Sequence, residues 1–204
     1  MNRRNSLALA SVLLAVCLLP SVRADDTPAQ PDQAELEKLY FEFAELAPEH
    51  DYFKKFVGRW KAVNKMFMEG APEPVVSEGT TSFRLLLGGR YLQQKYNSDF
   101  MDTPFEGIGI SGYDKTKKKY VGVWLDNHST AMMITEGELD AEGKIMTDVG
   151  TASTPMGPAG FKMTHEWKDK NTLISTMYMV GEDGTETKHM EITYTRLPRG
   201  KKTR

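Results

Sequence analysis

From residue 60 onward the chain alternates apolar and polar residues with a period of two, in short runs broken by turn chemistry. That rhythm constrains the fold more than any other feature. Ten runs read as strands: 60–68, 75–86, 91–97, 105–112, 120–126, 131–139, 145–153, 161–168, 173–180 and 188–196. Between them stand Glu69-Gly70-Ala71-Pro72, Gly88-Gly89, Asp140-Ala141-Glu142-Gly143, Lys168-Asp169-Lys170-Asn171 and Gly181-Glu182-Asp183-Gly184. Such tight connections join antiparallel neighbours. An open sheet this wide would leave two unpaired edges, and closing it into a barrel removes them. The fold expected is therefore all-β, a closed antiparallel up-and-down barrel of about ten strands. Its two ends carry matched residues: Gly58-Arg59-Trp60 on the first strand and Ile192-Thr193-Tyr194-Thr195-Arg196 on the last. In a closed barrel these strands are neighbours, and the Arg196 guanidinium can stack on the Trp60 indole as a structural clasp.

The residues before this rhythm have other patterns. Arg3 and Arg4 precede an apolar run from Leu7 to Leu19, too short to span a bilayer comfortably, and Val22-Arg23-Ala24 has the small residues of a cleavage site. Residues 1–24 are expected to be a signal peptide and the protein to be exported, periplasmic or secreted, with no membrane insertion after cleavage. Cys17 does not fit a lipidation signal, since Val16 precedes it and Leu18-Leu19-Pro20 continue the run. It is the only cysteine, so the chain beyond the leader has no disulfide, thiolate metal site or cysteine nucleophile. Loss of Arg3, Arg4 and Arg23 makes a chain of formal charge −2 more acidic, which disfavours nucleic acid as a partner.

Residues 25–33 hold two prolines among polar residues and read as a flexible leader. Residues 34–57 read as two short helices. In the first, Leu36, Leu39, Tyr40, Phe43 and Leu46 recur at spacings of three and four. The second runs from Glu49 to Val57, with Phe53, Phe56 and Val57 on one stripe and Gly58 as cap. One or both would pack on or plug one end of the barrel. The barrel itself is expected over 58–197, with a basic tail at 198–204.

Motifs with catalytic or cofactor meanings find little context. Gly107-Ile108-Gly109-Ile110-Ser111-Gly112 fits G-x-G-x-x-G, but a charged turn and another strand follow where a dinucleotide site needs a helix. The glycines are better explained sterically, by a bend or by a neighbour packing close on one strand face. Asp126, His128 and Ser129 are sequence neighbours, and adjacency does not make a triad; G-x-S-x-G is absent. Asp126, Glu136 and Glu138 would make a carboxylate pair if they faced inward. Of the histidines, His165 shares a strand face with Phe161, Met163 and Trp167. His189 falls on the solvent face if Met190, Ile192 and Tyr194 point inward. A histidine inside the barrel suits an axial haem ligand, though no haem motif accompanies it. Twelve methionines, among them Met66-x-Met68, Met132-Met133 and Met177-x-Met179, suit an adaptable apolar core or cavity better than a copper site.

Gly-x-Trp on the first strand with arginine on the last resembles the calycin superfamily, in which the arginine packs across the tryptophan at the closed end. Several longer runs resemble the bacterial family catalogued as domain of unknown function 1579. They are Phe56-Val57-Gly58-Arg59-Trp60, Leu87-Gly88-Gly89-Arg90-Tyr91-Leu92-Gln93, Pro104-Phe105-Glu106-Gly107-Ile108-Gly109, Gly112-Tyr113-Asp114, Lys118-Lys119-Tyr120-Val121-Gly122-Val123-Trp124-Leu125-Asp126 and Met190-Glu191-Ile192-Thr193-Tyr194-Thr195-Arg196. The resemblance implies a calycin-like barrel and no activity. The expectation for function is non-catalytic binding of a small apolar ligand inside the barrel, with no cofactor. A filled barrel serving as an interaction module, a haem-binding barrel and an enzyme on a hydrophobic substrate stand as alternatives. The residues expected to offer polar groups to a ligand are Trp124, Asp126, His128, Glu136 and His165.

Overall fold

The computed structural model describes residues 31–100 and 102–198. The expected signal peptide, Cys17, most of the flexible leader and all but the first residue of the basic tail lie outside them. The first element is the helix α1, Gln33–Ala44, opened by Asp32, whose carboxylate accepts the Glu35 N–H (2.9 Å), and carrying a Lys38–Glu42 ion pair. Among the described residues, those up to Glu42 form one compact unit and those from Phe43 onward a second.

The second unit contains ten strands: β1 Gly58–Met66, β2 Val75–Leu86, β3 Tyr91–Phe100, β4 Thr103–Asp114, β5 Lys119–Asp126, β6 Met133–Leu139, β7 Ile145–Thr154, β8 Gly157–Asp169, β9 Thr172–Val180 and β10 Glu186–Arg196. Each pairs antiparallel with its neighbour in sequence, and β1 pairs with β10, so the sheet is a closed barrel. The strand boundaries read from the sequence shift by a few residues, most at β8, which begins at Gly157 rather than at Phe161. Two hairpins show why the turns fall where they do. Gly143 and Gly184 take positive φ (66° and 82°), which suits glycine, while Asp140 and Asp183 accept backbone N–H groups from Lys144 and Thr185.

The second predicted helix is a 3-10 helix, Pro48–Lys55. Pro48 starts it, where a missing N–H costs nothing. The Ala47 N–H donates to His50 Nδ1 (3.1 Å), so this buried histidine caps the element. Tyr52, Phe53 and the following Phe56 are buried and plug one end of the barrel. Phe56 meets Trp167 at 5.0 Å between centroids and Phe83 at 5.5 Å; Tyr52 meets Tyr120 at 5.6 Å. Lys55 Nζ reaches the Gly143 carbonyl (2.7 Å) and ties the plug to the β6–β7 turn.

The seam closes at this end. Trp60 is wholly buried and stands opposite Arg196 in the β1–β10 register. The Arg196 guanidinium lies 3.9 Å from the Trp60 ring centroid. Its nitrogens donate to the carbonyls of Val57 (2.8 Å), Lys55 (2.5 Å) and Lys170 (3.2 Å). Trp60 Nε1 donates to the Phe56 carbonyl (2.8 Å). One guanidinium thus joins the first strand, the last strand, the plug and the β8–β9 turn.

Candidate functional site

Strand parity sorts the barrel interior into three levels, because inward positions alternate along each strand and the register carries them from strand to strand. The lowest level is the aromatic core around Trp60, Phe83, Tyr120, Trp167 and Tyr194. Next comes a belt of small and polar side chains: Asn64 on β1, Gln94 on β3, Ser111 on β4, Thr135 on β6, Asp148 on β7, His165 on β8 and Ser175 on β9. The belt floors a cavity of about 430 Å³. A smaller space of about 90 Å³ lies below, between the belt and the plug, and shares Gln94, Ser111, Thr135, Asp148 and His165 with the cavity above. The upper walls are apolar and aromatic, with Met66, Phe105, Met133, Phe161, Met163, Met177 and Met190 among them. Of the methionine clusters noted in the sequence, Met66, Met133 and Met177 line the cavity, while Met68 and Met132 are exposed.

One side of the mouth rests on the glycine motif of β4. Gly109 stands opposite Trp124 in the β4–β5 register, and the Trp124 indole lies across both Gly107 and Gly109. A Cβ at Gly107 would overlap the six-membered ring of Trp124, and one at Gly109 would sit 3.3 Å from it. The G-x-G pattern therefore serves indole packing. Trp124 Nε1 donates to Asp126 Oδ2 (2.9 Å), and the backbone N–H of His128 donates to Asp126 Oδ1 (3.0 Å). His128 lies past the end of β5, exposed, with its ring edge-on to Phe105 (5.2 Å) and Phe100 (5.9 Å). Tyr96 packs against both Phe105 and Trp124.

Across the cavity, His165 is held at both ring nitrogens. Nδ1 is 2.7 Å from Ser175 Oγ and Nε2 is 3.0 Å from Asp148 Oδ2. With Nε2 protonated, the ring donates to the carboxylate and accepts from the hydroxyl. This serine–histidine–carboxylate order is that of an acyl-transfer relay, but the surroundings differ. Ser175 is buried in the middle of β9, which is paired on both sides. Its backbone N–H groups belong to the ladders, so none is left to stabilise an oxyanion. An axial haem ligand needs a free ring nitrogen, and His165 has none in this arrangement.

Two polar atoms are buried without a hydrogen-bond partner among the described residues: Asn64 Oδ1 and the Tyr96 hydroxyl. Both residues line the cavity. Burial raises the Tyr96 pKa, and the neighbouring Ser98 hydroxyl offsets part of that rise without reaching good bonding geometry. An orphaned buried group is costly, on the order of 1–3 kcal/mol, and calls for an explanation.

Of the five residues expected to face a ligand, Trp124, Asp126, His128 and His165 line the cavity. Glu136 does not. It points outward, where Lys117 pairs with it and holds its carboxyl below the ordinary range. Inward positions on β6 are Met133, Thr135 and Gly137, the partners of Trp124, Gly122 and Tyr120, so Glu136 and Glu138 share the outer face. The carboxylate pair that Asp126 would make with Glu136 or Glu138 if they faced inward does not form, and the commoner arrangement of exposed carboxylates holds for Glu136 and Glu138. His189 also departs from expectation. Met190, Ile192 and Tyr194 face inward, but so does His189, because the β9–β10 register shifts between Lys188 and Met190 and leaves it as the extra residue of a bulge.

Sequence reasoning missed Asn64, Gln94, Tyr96, Asp148 and Ser175. Parity counted from Met146 along β7, and from Leu173 along β9, places Asp148 and Ser175 inside. A polar residue two positions from a buried apolar one on the same strand face was the available signal.

The model of a family described as "Protein of unknown function (DUF1579)" matches residues 45–196. Among solved structures, the crystal structure of Rv2717c from M. tuberculosis aligns with a TM-score of 0.58 at 13% identity, covering 76% of this chain and 100% of that one. At that identity the likeness concerns the fold alone. A redesigned β-barrel, b11L5F_LGL, aligns with a TM-score of 0.40 at 11% identity over 72% of this chain and 96% of that one. A second, mFAP0 bound to DFHBI, aligns at 0.35 and 15% identity over 70% and 99%. A search of curated proteins gives no match to the sequence.

Proposed function

The chain belongs to the DUF1579 family of proteins of unknown function, a membership that brings no activity with it, and from the cavity itself we propose that the protein binds a small, mostly apolar ligand without transforming it. The observation that carries this reading is the space of about 430 Å³ above the polar belt, within the size range of small-molecule sites. A barrel needed only as a scaffold is more stable with its interior filled, since close packing supplies dispersion contacts that a void forfeits. Methionines on several walls suit ligands of variable shape. The belt beneath gives a bound molecule an oriented end, and Trp124, braced by Asp126, forms one wall of the entrance. The reading includes export, on the signal features of residues 1–24, so the ligand would be met outside the cytoplasm.

Native mass spectrometry of protein purified without denaturant tests it. The expected result is a bound species of small mass that is lost on denaturation, and rebinding of an apolar probe by the stripped protein. A bare protein mass together with no uptake of the uncharged dye Nile red would count against the proposal.

A further inference from the structure

The chemistry of the cavity lining selects among ligands. We infer that the ligand carries a head group that donates hydrogen bonds and is uncharged or cationic, such as an alcohol or an amine, and that carboxylates are rejected. This rests on the binding reading above and goes further by naming the ligand class.

The first ground is charge. The ionisable residues lining the cavity are Asp126, Asp148, His128, His165, His189 and the phenols of Tyr96 and Tyr194, which burial keeps neutral; among the described residues no lysine or arginine lines it. The carboxylates are thus the formal charges that need no added proton. Lys188, next to His189 in sequence, is turned to Glu191 (2.5 Å) and lies over the Phe67 ring (4.9 Å). The His165 ring is already paired with Asp148 at 3.0 Å and with Ser175 at 2.7 Å, so it offers no free donor to an anion. A carboxylate entering this space would lose its hydration, meet no fixed cation and approach Asp148, each of which is unfavourable in a desolvated cavity.

The second ground is the sense of the unfilled hydrogen bonds: the Tyr96 hydroxyl can donate or accept and does not discriminate, whereas three oxygens can only accept. Asn64 Oδ1 is a buried acceptor with no donor among the described residues. Asp148 uses Oδ2 on His165, and its Oδ1 lies against Gly137 with no hydrogen bond among the described residues. Gln94 spends its amide nitrogen on the Tyr194 hydroxyl at 3.5 Å and keeps its carbonyl oxygen. An anion is itself an acceptor and satisfies none of these three oxygens. A hydroxyl or ammonium head on an apolar body satisfies one or more of them. Specificity then comes from repulsion of the wrong head as well as attraction of the right one.

The test uses competition for Nile red by three molecules with the same ten-carbon chain: 1-decylamine, 1-decanol and decanoate, at neutral pH and below their micelle concentrations. Decylamine and decanol are expected to displace the dye at least about tenfold more effectively than decanoate, a difference of about 1.4 kcal/mol. Asp148→Asn, checked for retained fold by circular dichroism, should reduce the margin between decylamine and decanoate several-fold, and an unchanged margin in the folded variant would overturn the charge ground. Displacement by decanoate equal to or better than by the other two would overturn the inference and leave the binding reading standing. If neither the dye nor any of the three binds, the binding reading fails and the head-group preference falls with it.

Discussion

The two ends of the barrel are built from similar rings, yet they treat polar atoms differently. At the closed end every aromatic polar atom named above has a partner. Trp60 Nε1 reaches the Phe56 carbonyl (2.8 Å), Trp167 Nε1 reaches the Tyr52 hydroxyl (3.3 Å), and the Tyr120 hydroxyl reaches the Glu49 carbonyl (3.0 Å). Arg196 fastens three carbonyls while stacking on Trp60. Toward the open end the rings of Tyr96, Phe105 and Trp124 line the cavity, and Asn64 and Tyr96 hold buried polar atoms without partners among the described residues. The same alternation of residues yields a satisfied core below the belt and an unsatisfied, roomy one above it. The first is what stability selects. The second is what the proposed binding site would tolerate, because a ligand would complete it.

This contrast can be broken at its strongest point first. Trp60→Ala removes a fully buried indole from the seam and is expected to cost about 3–5 kcal/mol of stability in chemical denaturation. A loss below about 1 kcal/mol would mean that the closed end does not hold the fold.

Alkaline pH probes the same end without mutation. Burial raises the phenol pKa values of Tyr52, Tyr120 and Tyr194 above the ordinary 10.0, that of Tyr120 to about 12 with Glu49 adding to the effect. The folded state therefore keeps these protons after the unfolded chain has released them. Stability is full below pH 10 and falls as pH rises from there through the folded-state values, by up to about 1.4 kcal/mol per pH unit for each such tyrosine. Urea unfolding between pH 9 and pH 11 checks this, and Tyr120→Phe should make the decline shallower. A flat profile would show that these three tyrosines titrate alike folded and unfolded.

Arg196→Ala comes next in size, at roughly 1–2 kcal/mol, since the guanidinium is only half-buried and water replaces some of its bonds. Its value lies in what it should leave alone: dye binding in the upper cavity, measured on the fraction that remains folded. Weakened binding in proportion to lost stability would mean the two ends are one cooperative unit.

Most of the architecture can be read before the structure is seen. Period-two runs and glycine-rich turns mark the strands, and Trp60 and Arg196 mark the seam, because burial of one face forces alternation and closure forces the two ends together. The plug is harder to type. Its apolar spacing suits an α-helix, but with only eight residues opened by Pro48 a 3-10 helix buries the same rings. The site is less legible for a related reason. On β6 both faces carry polar or small residues, Thr135 and Gly137 inside and Glu136 and Glu138 outside, so alternation holds no signal there and Glu136 is misplaced. Asp148, Ser175 and Asn64 are polar residues in inward positions, which the hydrophobic pattern marks only as gaps. The bulge at His189 adds one residue to β10, and no pattern of period two survives an extra residue.

The separation of the two ends is tested most directly by filling one of them. Met163 lines the upper cavity on β8, one inward position above His165. Nile red titration of Met163→Trp, with its unfolding measured in the same preparation, should show binding weakened at least about tenfold while the protein remains folded with its unfolding midpoint near that of the parent. Parent-like dye affinity in a folded Met163→Trp protein would contradict the account, because the ligand would then have to sit somewhere other than the cavity above the belt.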